Sequence, residues 1–200
     1  MTKRLAALLI AVALPGTASA WSWGEAPDAS VDVYAIPKVT VDVGGKEFGD
    51  GYGLRGMFRA YQMVSVLVEH NRLQPDAGTG VSQTRLDVGV TLPSGTGLFL
   101  EYADDRDSDS SNSGYGVRGR VTGQARPDVR LYADLGYLKY QEESGSKPTE
   151  LFYSAGGTFS INEMFGLFAD YKVSTYKFEG IPIEPKVSMA RLGMNIAFGF

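Results

Sequence analysis

From residue 31 to the last residue, apolar and polar side chains alternate in successive stretches separated by short polar or glycine-rich breaks. A period of two is the signature of a strand with two unlike faces. A strand crossing a membrane needs ~9–11 residues with apolar side chains towards lipid at every second position. No stretch is apolar for the ~20 residues that a spanning helix requires. The alternation predicts strands over 31–43, 51–60, 64–73, 81–92, 98–105, 114–123, 129–140, 150–161, 165–176 and 187–200. Their apolar faces are explicit. Examples are Tyr52, Leu54, Gly56, Phe58 and Ala60, then Leu86, Val88, Val90 and Leu92, and later Phe165, Leu167, Ala169, Tyr171 and Val173.

The opposite face carries charge. It holds Lys38, Arg55, Arg59, Arg85, Arg118, Arg120, Arg130, Lys172 and Arg191 against Asp32, Asp42, Glu69, Asp87, Glu101, Asp134 and Asp170. A soluble β-sandwich also alternates, so periodicity by itself leaves sandwich and barrel open. Three further features favour a barrel. Tyr52, Tyr115, Tyr137, Tyr153 and Tyr171 fall towards one set of strand ends, and Phe58, Phe159, Phe165, Phe198 and Phe200 towards the other, like two interfacial girdles. Short connections near 61–63, 93–97, 124–128 and 162–164 alternate with longer ones near 44–50, 74–80, 106–113, 141–149 and 177–186. The chain also closes on a strand whose apolar set, Leu192, Met194, Ile196, Phe198 and Phe200, runs to a terminal aromatic. The expected fold is therefore all-β: a transmembrane antiparallel up-and-down β-barrel of ten strands. Eight is the alternative if the Pro37-interrupted first strand is only a tail.

The N-terminus assigns a destination. Lys3 and Arg4 precede the apolar run Leu5 to Leu14, and Ala18-Ser19-Ala20 has the small-x-small form of a cleavage site. Residues 1–20 read as a secretory signal peptide, 21–30 as a periplasmic tail and 31–200 as the barrel. With no cysteine, disulfides and thiolate metal sites are excluded. A net charge of −4 gives no basic stripe for nucleic acid.

Several motifs invite chemistry. Gly51-Tyr52-Gly53-Leu54-Arg55-Gly56 and Gly114-Tyr115-Gly116-Val117-Arg118-Gly119 both match GxGxxG, but neither opens a helix as a dinucleotide site would require. They read as a strand repeat in which glycine makes room for bulky lumen neighbours such as Arg55 and Arg118. The run Asp104 to Asp109 suggests calcium, yet Ser110 and Gly116 stand where an EF-hand loop needs Gly and Glu. His70 is the only histidine, and its parity points outward near an interface. No catalytic set and no cofactor site is expected.

At the level of Gly51–Gly56, the Val64–Glu69 stretch, Thr84–Val90 and the Arg191–Phe200 ending, the chain resembles small outer-membrane β-barrel proteins of Gram-negative bacteria, in the porin-like or OmpA-like barrel group. The resemblance implies insertion into the cell outer membrane by the barrel insertion machinery and a monomeric barrel. It also implies contact with outer-membrane lipid and lipopolysaccharide, and no peptidoglycan-binding domain. The residues Leu192, Met194, Ile196, Phe198 and Phe200 resemble the C-terminal assembly signal of such barrels. The inward charges Arg55, Arg59, Glu69, Arg85, Asp87, Glu101, Arg118, Arg120, Asp134, Asp170, Lys172 and Arg191 are expected to pair across a narrow lumen. Two roles follow: a closed structural or surface-interaction barrel whose surface ligand is unknown, or a narrow channel for ions or small solutes.

Overall fold

The computed structural model describes residues 29–42, 46–60, 63–76, 80–108, 110–142, 147–180, 182 and 184–198. The expected signal peptide, most of the tail and Phe200 lie outside the described residues. Strands are β1 (Ala29–Val41), β2 (Lys46–Ala60), β3 (Val64–Pro75), β4 (Val81–Thr91), β5 (Thr96–Arg106), β6 (Ser111–Arg126), β7 (Val129–Glu142), β8 (Thr149–Ser160), β9 (Phe165–Lys177) and β10 (Lys186–Phe198). Each pairs antiparallel with its sequence neighbours, and β1 also pairs with β10, so the sheet closes into a ring. Closure leaves no strand edge unpaired, the condition for backbone to sit in hydrocarbon.

The first strand is a full member of the barrel, which settles ten strands over eight. Pro37 is accommodated by a bulge: the register with β10 shifts between Ala35 and Lys38, and with β2 between Ile36 and Val39. The bulge inverts parity. Tyr34 and Ile36 point inward before it and Val39 after it. Lys38, expected inside, is therefore exposed, and Asp42 lies exposed in the turn that follows. With β2 ending at Ala60 and β3 starting at Val64, Val64 and Val68 face outward and Glu69 inward, the parity that a three-residue connection sets.

The expected contrast in connection length is weaker than the sequence suggests. The β1–β2 and β5–β6 connections are only 42–45 and 107–110, because β2 and β6 begin a few residues before their predicted starts at 51 and 114. The longest is 178–185. The outward face is an apolar band that includes Leu54, Val88, Leu100, Leu135, Leu167 and Met194, each with at least 46% of its surface exposed. A soluble monomer rarely exposes a contiguous apolar patch of such extent. The band instead matches a transmembrane barrel facing hydrocarbon, with its polar groups turned in.

Candidate functional site: a charged and filled lumen

The interior is not uniform along the barrel axis. At the end that bears the short turns is an open vestibule of about 1280 Å³, lined among others by Pro127, Asp128, Asn162 and Met164 of those turns. Arg59 and Arg130 stand in its wall, and its floor is made by Arg55, Arg120, Tyr132 and Asp32.

The floor belongs to a charged layer. Arg191 of β10 grips Asp170 of β9 with two parallel bonds, Nε to Oδ1 at 2.5 Å and Nη2 to Oδ2 at 2.6 Å. Its remaining arm, Nη1, donates to Glu69 Oε1 of β3 at 2.8 Å, across the lumen. Arg55 of β2 takes Asp32 of β1 at 2.6–2.7 Å and lies 3.5 Å from Asp170. Tyr132 Oη donates to Asp170 at 2.5 Å, and Asn195 Nδ2 to Asp32 at 2.6 Å. Glu69 also accepts from Asn71, which accepts from Tyr34. One linked network thus joins β1, β2, β3, β7, β9 and β10. A planar guanidinium is suited to such bridging, since it presents its donors in a rigid fork.

A second network covers the opposite wall. Arg85 of β4 bonds Asp105 of β5 and donates to Tyr140 Oη of β7 at 2.9 Å. Tyr140 in turn donates to Glu150 Oε2 of β8 at 2.7 Å, and Ser174 of β9 to Glu150 Oε1 at 2.6 Å. Lys172 stands 3.7 Å from Glu150, with its ammonium 4.4 Å from the Phe152 ring centroid. Arg118 bonds Asp87, and Arg120 holds Asp134 bidentately at 2.6 and 2.8 Å, with Ser154 completing Asp134 at 3.0 Å. Between the two networks is a void of about 10 Å³, no larger than one water needs, touched by Glu101, Arg118, Lys172 and Arg191. Glu101 is the loosest member: Oε1 lies 3.7 Å from Arg85 and Oε2 has no hydrogen-bond partner.

Apolar side chains are packed among these charges: Ile36, Val39, Leu73 and Met189 lie nearer the longer loops than Asp32, Glu69 and Arg191 of the same strands, Phe168 lies nearer the short turns than Asp170, and Ala103 and Phe152 lie between Glu101 and Asp105 and between Ser154 and Glu150. Tyr34, Ile36, Val39, Leu73, Phe168 and Met189 form one buried cluster. Ala103, Leu138, Tyr140 and Phe152 form another, with Tyr176 packed against it. Alternation does not mark these apolar members, because a face with so many charges reads as polar throughout.

Of the inward charges singled out from the sequence, Arg55, Glu69, Arg85, Asp87, Glu101, Arg118, Asp134, Asp170, Lys172 and Arg191 are all buried in the charged layer. Arg120 joins it through Asp134, while Arg59 lines the vestibule instead. Three important members were missed. Glu150, fully buried, and Asp105 lie at predicted strand ends, where parity is hard to extend. Tyr132 carries no charge, so a face read from its charges does not single it out. Asp105 also changes the reading of the acidic run 104–109. Asp105 is turned into the lumen, Asp104 pairs with Arg106 at 2.7 Å, and Asp107 caps Ser110. Among the described residues no group of three or more His, Cys, Asp or Glu is arranged to hold a metal. His70 faces outward, its Nδ1 at 3.0 Å from Thr84 Oγ1. The glycines of the repeated motif do make room, but for rings: Gly53 faces Tyr34 and Gly114 faces Tyr140. Of the terminal set, Leu192, Met194 and Phe198 face outward and Ile196 is half-buried.

A closed ring of ten strands, an apolar belt outside and ion pairs inside define a small outer-membrane β-barrel. No family model matches the chain, and no curated protein does. Solved structures with a similar backbone include the outer membrane protease OmpT from Escherichia coli, at TM-score 0.49 and 8% identity over 86% of this chain and 97% of that one. They also include the KdgM porin in complex with disordered oligogalacturonate, at 0.43 and 10% over 84% and 99%. A third is Ail, the attachment invasion locus protein of Yersinia pestis, at 0.39 and 18% over 86% and 99%. At such identities no activity, substrate or partner carries over to this chain.

Proposed function

We propose that this barrel is a closed, non-catalytic scaffold of the outer membrane, with a structural or surface-interaction role. The observation that carries the reading is the filled lumen. The network centred on Arg191, Asp170 and Glu69 spans the bore, and buried apolar side chains are packed among and around it. An ion passing through would have to break buried charge-assisted bonds and displace the apolar groups packed between them, a steep barrier. Ten strands enclose a bore little wider than eight, which side chains already fill. The outer loops and rim are then the surfaces left for a ligand. The outward Leu192, Met194 and Phe198 of β10 support recognition by the insertion machinery, and a band closed on itself supports a monomer.

A narrow channel is the second reading, and one observation favours it: the vestibule already occupies a large part of the lumen and ends directly on the ion-paired layer. Single-channel recording of the refolded protein in planar bilayers separates the two. Folding is checked first by heat-modifiable migration on SDS gels. The closed reading expects a folded, silent barrel; steady reproducible openings would overturn it.

A further inference from the structure

The outward face of the barrel is polarised in charge. At the short-turn end its charges are few: Arg126, the last residue of β6, is paired with Asp128 at 3.2 Å, and Glu163 is exposed in the turn before β9. At the opposite end the β2–β5 side mixes signs, with Arg72, Asp50 and an Asp104–Arg106 pair. The β7–β10 side does not. There Lys139 of β7 lies across from Thr149 of β8, and Thr149 lies across from Lys177 of β9. One row below, Thr175 faces Lys186 of β10. All three lysines are exposed, and no acidic side chain described in these strands shares their face. Glu179 and Glu184 lie in the loop beyond the last row.

The spacing suits a phosphate. Lys139 and Lys177 are two strands apart, about 10 Å between backbones, with the Thr149 hydroxyl between them. Lys186 sits on the diagonal from Lys177, within reach of a long side chain. Directly beneath are Leu151, Tyr153 and Val173, continuous with the lipid-facing belt. A ligand fitting both parts carries phosphate at the interface and acyl chains below it.

We propose that Lys139, Thr149, Lys177 and Lys186 form a docking site for the phosphorylated headgroup of an outer-leaflet glycolipid of the lipid A type. The inference rests on the outer-membrane reading above. Its argument is charge complementarity joined to continuity with the apolar belt. A freely diffusing phosphate would use only the first.

The test is native mass spectrometry of the refolded protein in detergent, titrated with bisphosphorylated lipid A, with dephosphorylated lipid A and with inorganic phosphate as competitor. The wild type is expected to retain the bisphosphorylated lipid. K139Q/K177Q should weaken that binding about 25-fold, given ~1 kcal/mol per cation at an anionic surface, whereas R72Q on the other wall should leave it unchanged. Both lysines are exposed, so heat-modifiable migration should show the double variant folded. Unchanged binding by K139Q/K177Q, or equal binding of dephosphorylated lipid, would overturn the proposal. Displacement by equimolar phosphate would assign a free-anion site and overturn it too. A wild type that fails to insert into phosphatidylcholine vesicles would remove the membrane reading itself, a failure distinct from insertion without lipid discrimination.

Discussion

At the scale of single residues, the lumen follows a packing rule that the sequence contains but alternation does not expose. Its large rings stand opposite glycines: Tyr34 across from Gly53, Phe99 from Gly89, Tyr140 from Gly114, Phe152 from Gly136, Phe168 from Gly193 and Tyr132 from Gly156. A closed barrel curves its inner faces together, so a ring can lie across the wall only where the neighbour has no side chain. The 25 glycines of the chain are in part the imprint of its inward aromatics. Finding them needs the register, which a single sequence does not supply. The rule is testable. A Cβ on Gly53 would stand 2.5–2.6 Å from the Tyr34 ring. Gly53→Val should therefore cost about 1–3 kcal/mol by overpacking, and Gly53→Val with Tyr34→Ala should recover part of it, read by urea unfolding in vesicles. The charges obey a different logic. Arg191→Met strands Asp170 and Glu69 without their main donor, and should cost about 3–5 kcal/mol. Adding Asp170→Asn removes one of the stranded charges, so the double variant should lose less than the two single losses combined.

At the scale of elements, the strands were legible because parity persists over a whole membrane crossing. Nine of the ten keep their predicted inside and outside faces throughout, and their ends move by only a few residues. The exception is β1, where Pro37 offers no amide hydrogen to the ladder and a bulge absorbs the irregularity. The sequence marks where the disturbance falls, yet not whether parity resumes or inverts after it. That depends on both flanking strands, and so parity alone puts Lys38 on the wrong face. The outward sets carry the element-level prediction. Leu100, at the middle of β5, has 72% of its surface exposed. If that face meets hydrocarbon, Leu100→Arg should cost about 2–4 kcal/mol, measured by urea titration of the heat-modifiable form. A face bathed by water would tolerate the change with almost no loss.

At the scale of the whole molecule, the lumen passes from the open vestibule into a stretch where ion pairs and apolar side chains are packed together, and that mixture determines what opening the barrel requires. The charges are foreseeable from the inward residues, and the apolar members are not, since aromatic and aliphatic groups on a polar-parity face look like noise until the strands close round them. On β1 and β10, Ile36 and Met189 lie nearer the longer loops than Asp32 and Arg191, while on β9 Phe168 lies nearer the short turns than Asp170. A filled lumen predicts a specific pattern of conductance. Ile36→Ala with Met189→Ala thins the apolar packing but leaves Arg191, Asp170 and Glu69 interlocked. Arg191→Ala with Asp170→Ala opens the bonded network but leaves the apolar packing. Each pair of substitutions should remain silent in planar bilayers, while the four together should join the vestibule to the loop end and give discrete openings. If the apolar variant alone conducts, the charged network is permeable as it stands, and the barrel is a channel held shut by its apolar packing.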